Sequence, residues 1–316
     1  MATIVASGEA EARWTTRDLL FMVAIQLIWG ANWVAAKIGV AEVPPLMLMA
    51  ARFAMLVFVF MPFMRWHGRG MWEIAVAALT NGAIHFGLLF WGLSLGGDIA
   101  PLAVVGQLGV PFATLMSALF LGDRIGVWRG GALALAFGGS MVVSFDPRVL
   151  GYIHAVGLVI LASSCWAIGA IYMRRLKHLS VFDMQGWIAA LAFPPLIVFS
   201  FAIEKDPFGS LMHASWPALL ALGYIAFGSS LIGHVGFNYM LQRYPIPKMA
   251  PFLLIAPLFA SFLGVVVFGD QLTWRMVIGG AMTLTGVLVI TIREGRRSQR
   301  AVATGRTDSQ SREAGG

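Results

Sequence analysis

Ten apolar runs of about 20 residues, parted by short polar connectors, repeat along this chain. They fall at about Asp18–Val40, Pro45–Trp66, Trp72–Leu93, Ala100–Leu121, Trp128–Phe145, Gly151–Met173, Phe182–Ile203, Trp216–Leu241, Met249–Phe268 and Trp274–Ile292. Each is long enough to cross a bilayer as a helix, and strands there would leave backbone groups unpaired in lipid. Trp66, Trp72, Trp128, Trp216 and Trp274 stand at the ends of these runs, where amphipathic rings favour the membrane–water interface. The pattern predicts an all-α integral membrane protein of ten spans.

Composition agrees and narrows the class. Apolar residues make up 59% of the 316 and charged residues only 12%, outside the range of soluble domains. The net charge of +7 raises the question of nucleic acid. The basic residues answer it, because they lie between spans and in the tail rather than on one face, so no nucleic-acid partner is expected. A single cysteine, Cys165, excludes an intramolecular disulfide and a cysteine-rich metal site. The leader, residues 1–17, carries two glutamates before an apolar run long enough to span, and shows no cleavable signal.

Charge placement then orients the chain. Of 22 basic residues, 17 fall in segments on the side of the N-terminus, three (Arg148, Lys205, Arg275) in the opposite loops, and two, Lys37 and Arg52, within spans. That asymmetry predicts cytoplasmic termini and a multi-pass protein of the inner membrane. Residues 293–316 are polar and rich in small side chains, which predicts a disordered basic tail near anionic headgroups.

The chain also repeats itself. "FLGDRIG" (Phe120 to Gly126) follows the fourth run and "VFGDQLT" (Val267 to Thr273) the ninth, and sixteen residues past each aspartate stands a glycine, Gly139 and Gly286. Trp29 corresponds to Trp166, Lys37 to Arg174, and prolines interrupt the fourth and ninth runs at Pro111 and Pro257. Two units of five spans, residues 18–145 and 151–292, must be inverted relative to each other because five is odd. Inverted repeats with interrupted helices are a transporter architecture, with the site near the midplane.

Trp29-Gly30, Asn32, Lys37, Pro44-Pro45 and Arg52-Phe53, together with the two Gly-Asp turns and the glycines beyond them, resemble the EamA-type branch of the drug/metabolite transporter superfamily. The resemblance runs from about Leu19 to Ile292, although that family usually carries glutamate where this chain has Asp123 and Asp270. It implies a cavity enclosed by spans one, three, four, six, eight and nine, flanked by two and seven. It implies spans five and ten at the back, or against a second protomer in a homodimer. The "PPLML…ARF" pattern is most similar to exporters of amino acids and related metabolites, with no cofactor.

Polar side chains within spans are costly and therefore informative. Asn81 and His85 are four apart in the third span, and His234 and Asn238 four apart, in reversed order, in the eighth. Each pair either bridges neighbouring helices or presents hydrogen-bonding groups to one cavity. No acid lies near the centre of a span, which argues against a carboxylate proton relay and against a metal cage. If transport is proton-coupled, His85 or His234 is the carrier. Trp29, Asn32, Gln107, Trp166 and Tyr239 complete the candidate lining, with Gln26 beside them.

Two cations remain. Lys37 lies about a turn from the end of span one and is expected to snorkel to the periplasmic edge. Arg52 lies seven residues past Pro45, roughly 10 Å down the helix. It either caps carbonyls freed near the prolines or recognises a carboxylate or phosphate. The function expected is a secondary transporter moving a small polar or zwitterionic metabolite, outward by resemblance. The alternatives are an intramembrane enzyme pairing a histidine with a serine such as Ser163, and a non-transporting scaffold or sensor working through its tail.

Overall fold

A computed structural model describes residues 15–121, 125–176, 179–244 and 246–313. The described residues are helical without strands, and ten helices are long and apolar enough to cross a membrane. They are Thr16–Glu42, Pro45–Phe63, Met71–Ser94, Ile99–Phe120, Val127–Ser144, Ile153–Met173, Val181–Ile203, Trp216–Phe237, Pro251–Phe268 and Trp274–Arg293, called spans one to ten. "Near face" denotes the side where span one begins, and "far face" the side where it ends. The leader before Thr15, and Asp123 of the first Gly-Asp turn, lie outside the described residues.

Local chemistry explains where the spans start. Thr15 caps span one by accepting from Asp18 N at 3.1 Å, and Asp18 adds negative charge to the first turn. Span two opens on Pro45, whose missing N–H costs nothing at a helix start. The next two amides, Leu46 N and Met47 N, donate to the Glu204 carboxylate at 2.8 and 3.1 Å. An acid at the end of span seven thus caps span two.

The prolines break spans four and nine where their chemistry requires. Pro111 has no N–H for the Gln107 carbonyl and its ring crowds it, so the helix stops at Gly106 and restarts at Gly109. Pro257 acts alike, with a break at Leu254. The residue pattern does not reveal three π-helical stretches, Ala78–Ile84, Tyr224–Gly233 and Gly264–Phe268. Two of them end immediately before His85 and His234, the same place in each half.

The spans exchange partners between halves. Span one packs mainly on spans eight and nine, and span six on spans three and four. Span two lies along span seven, and span five along span ten. A Cβ on Gly139 would stand 2.5 Å from the Gly279 carbonyl oxygen, and one on Gly286 would stand 2.6 Å from that of Ala132. Bare backbones therefore touch between spans five and ten, and Thr283 Oγ1 donates to Gly279 O at 2.9 Å within that seam. Gly139, Gly279 and Gly286 are thus used in packing within the chain.

The helix that holds span ten continues beyond Arg293. It runs Trp274–Glu313, through most of the segment expected to be a disordered tail. That stretch has no proline, and its arginines, glutamines and alanines are good helix formers, so composition alone does not stop the helix.

Candidate functional site

Arg52 is the centre of the polar interior. It is 3% exposed, held between spans two, three and eight. Its Nε donates to Ser230 Oγ at 3.1 Å, and Ser230 Oγ in turn donates to the Ile225 carbonyl at 2.7 Å. The guanidinium lies 4.0 Å from the Phe86 ring centre and 5.0 Å from that of Phe53, with Met49 Sδ 3.7 Å from Nη1. Among the described residues no carboxylate pairs with it. The rings and one hydroxyl orient the cation and leave its charge uncompensated, a costly state in a low-dielectric interior that favours an incoming anion. It caps no carbonyl near the prolines; its recorded partners are a hydroxyl, a thioether and two rings.

Both histidines lie within electrostatic reach of Arg52. His85 Nδ1 is 2.9 Å from the Ala162 carbonyl and His234 Nδ1 3.1 Å from that of Ser229. A carbonyl only accepts, so Nδ1 carries the hydrogen in each and Nε2 is the acceptor of the neutral ring. Trp29 joins the group from span one. Its ring meets His234 edge-on at 5.5 Å and Phe237 at 5.1 Å, and its Nε1 donates to Ser229 O at 3.3 Å. Gly233 makes that approach possible, because a Cβ there would stand 2.5 Å from the indole nitrogen.

Other candidates divide. Asn81 donates to Met173 Sδ at 3.0 Å and packs on Gly169, so Asn81 and His85 both bond into span six. Trp166 lies on Gly109 and Trp33 on Gly106, the two glycines flanking the Gln107–Leu108 break in span four. Gln107 thus stands where spans one, four and six meet. Asn32 Oδ1 and both amide atoms of Gln26 are buried without a hydrogen-bond partner among the described residues. Tyr239 does not join the centre. It is 40% exposed, stacks under Arg243 at 4.3 Å, and lines a near-face cavity of about 640 Å³ with Arg17, Asp18, Phe21 and Val235. Two residues past Phe237, about 200° further round the helix, it faces the other side. The side chain of Asn238 lies outside the described residues.

Lys37 does not snorkel into solvent. Its Nζ donates to the Gly97 carbonyl at 2.9 Å and pairs with Asp270 at 3.4 Å, two partners from loops that the linear sequence sets far away. Its expected counterpart Arg174 has its side chain outside the described residues. Ser163 donates to the Val159 and Gly106 carbonyls at 2.8 and 3.2 Å, an ordinary helix back-bond rather than a nucleophile's setting. Among the described residues no group of three or more His, Cys, Asp or Glu could hold a metal. Sequence reasoning missed Ser230 and Phe86, the direct partners of Arg52. The run Gly228-Ser229-Ser230, polar within an apolar span and shortly before His234, was the available signal.

Two stretches, residues 16–145 and 153–292, match the EamA-like transporter family. The chain is similar to a "Probable amino-acid metabolite efflux pump" of Escherichia coli K12, 25% identical and covering 92% of this chain and 99% of that one. It is also similar to the "Uncharacterized transporter YoaV" of Bacillus subtilis (23%; 88% and 98%) and the "Uncharacterized inner membrane transporter YedA" of E. coli K12 (24%; 86% and 89%). A crystal structure shares the fold at a TM-score of 0.58, with 19% identity over 90% of this chain and 99% of its own.

Proposed function

Because the chain belongs to the EamA-like transporter family, and is a multi-pass membrane transporter rather than an enzyme, we propose that it exports a small carboxylate-bearing metabolite, of the amino-acid type, across the inner membrane. The single observation that carries this reading is Arg52, a buried guanidinium with no acidic partner among the described residues. Its planar fork suits a carboxylate, and the rings of Phe86 and Phe53 hold it in place to receive one. Trp29, His85, His234 and Ser230 stand around it as further substrate contacts, with Asn32 and Gln107 adjoining and Trp166 packed beside the break in span four. His85 and His234, each with Nε2 as acceptor, are the proton carriers if flux is proton-coupled. The amino-acid substrate class and the outward direction draw on the efflux-pump relatives.

The exchange of partners between spans one and six supports an inverted repeat, and alternating access is the mechanism such a repeat serves. The basic asymmetry supports cytoplasmic termini, which makes the near face cytoplasmic. A dimer through spans five and ten would have to use their outer faces, since their glycine faces meet each other.

The test is to overexpress the protein and profile metabolites accumulating outside cells, with Arg52→Ala as control. Losing a hydrogen bond to a charged group costs about 1.5–3 kcal/mol, a ten- to roughly hundredfold loss of apparent affinity. Unchanged flux in folded Arg52→Ala protein would remove Arg52 from the substrate path.

A further inference from the structure

At the far face, the end of span one and three loops converge on one cluster. Lys37 Nζ reaches the Gly97 carbonyl at 2.9 Å and Asp270 Oδ1 at 3.4 Å, above the Phe268 ring at 4.5 Å. Asp270 Oδ2 accepts from Ile99 N at 2.6 Å, so an acid from the second half caps the first turn of span four. Asp98 faces Asp270, with Lys37 and Arg148 as the cations near it. The Tyr152 ring lies against Gly97, and Tyr152 has Asp98, Asp270 and Asp146 around it. Alongside, Arg148 bonds Gln271, Thr273 bonds Asp146 at 2.5 Å, and Arg275 Nη1 donates to Phe145 O at 3.1 Å. The bonds Lys37–Asp270, Ile99–Asp270, Arg148–Gln271, Asp146–Thr273 and Phe145–Arg275 each join the first 148 residues to residues 270–275. Beneath them Ile99, Ala103 and Ala260, all fully buried, pack with Trp33 and Val34 to close spans one, four and nine together.

An ionised Asp98 repels the Asp270 carboxylate it faces, against the pull of Lys37 and Arg148, and a protonated Asp98 does not. We propose that Lys37, Asp98 and Asp270 are the far-side gate of the transport path, latched while Asp98 holds its proton and released when that proton leaves. The gate lies away from Arg52 and the histidines, and it adds to the proposed export a control by pH on the far side. Burial, then the charge of Asp270, push the Asp98 carboxyl up from its ordinary value, against the pull of Lys37 and Arg148. A carboxyl raised in the latched state and ordinary in the open state binds its proton more tightly when latched. The latch is therefore favoured as pH falls and lost as pH rises through the raised value.

A cysteine beneath the latch reads the gate without knowledge of the substrate. In full-length protein with Cys165→Ser, Ala103→Cys is exposed to a membrane-impermeant maleimide in vesicles of each orientation, between about pH 4 and about pH 8. Each far-face rate is divided by that of the same variant unfolded in denaturant at the same pH, which cancels ionisation of the thiol itself. This ratio, the rate meant below, should rise with pH, by up to about tenfold for each unit separating the latched and open values of Asp98. Asp98→Asn, which mimics the protonated acid, should stay at the slow rate throughout. Lys37→Gln, which leaves Asp270 uncompensated, should label fast throughout. Labelling independent of pH in the parent, or an unaltered rise in Asp98→Asn, overturns the proposal. Ala260→Cys gives the same reading should Ala103→Cys not fold. A normal pH rise with label entering from the cytoplasmic side keeps the gate and overturns the placement of the termini instead.

Discussion

Replacing Glu204 tests whether a single acid at the end of span seven holds the start of span two. Its carboxylate accepts from Leu46 N at 2.8 Å, from Met47 N at 3.1 Å and from Ser200 Oγ at 2.6 Å. Leu46 and Met47 are 6% and 3% exposed, so their amides have little access to water in place of the acid. Hydrogen bonds to a charged group contribute about 1.5–3 kcal/mol each when buried, and Glu204 itself is partly exposed. Discounting for that solvent access, Glu204→Ala should cost about 2 kcal/mol, while Glu204→Gln keeps one acceptor oxygen and should cost about 1 kcal/mol. At about 2–4 °C per kcal/mol, the alanine variant should melt about 4–8 °C lower in detergent, with the glutamine variant between it and wild type. The measurement is thermal unfolding of purified full-length protein followed by loss of the monodisperse peak on size exclusion. Flux should be little changed, since the cap is remote from Arg52. A melting point for Glu204→Ala within about 1 °C of wild type would refute the reasoning, as would a glutamine variant as weak as alanine.

The seam between spans five and ten and the histidine pair supply two further tests. Gly139→Val must push against Gly279 O and Thr283 N, both backbone atoms, and should cost about 1–3 kcal/mol in thermal stability. Gly131→Val in the same helix, with nothing within 4 Å, should be near neutral, and equal losses would dismiss the bare-backbone contact. His85→Gln and His234→Gln should flatten the pH dependence of substrate flux while leaving the labelling curve of the far-side gate intact. An unchanged flux profile in both would reduce the histidines to packing.

The spans were legible because each needs only length and apolarity, properties that survive in one dimension. The breaks in spans four and nine were legible too, since proline carries its own steric rule. Other features had no such local cause. The π-helical turns before His85 and His234 follow no residue code read along the chain. Glu204 on Leu46, Asp270 on Ile99 and Lys37 on Gly97 join positions that lie from 60 to 171 residues apart. A charge beside a loop therefore read as a surface anchor when it was in fact a tie. Arg52 stood out because no local role explained its depth, and it had no basic counterpart in the other half. Tyr239 was misjudged through position alone: it neighbours His234 in sequence but faces outward. Ser230 and Phe86 went unseen because single serines and phenylalanines abound in such a chain.

The exchange of spans one and six has a consequence for how the chain comes to be. Span one finds its main neighbours in spans eight and nine, which the ribosome makes some 200 residues later. The first five spans therefore enter the bilayer with one helix waiting, its Gly30 surface shaped for the Ala256 carbonyl and the Phe259 ring. Assembly cannot finish half by half. A fragment ending after span five should stay a target for quality-control proteases until the second half, supplied on the same chain or as a separate polypeptide, inserts beside it.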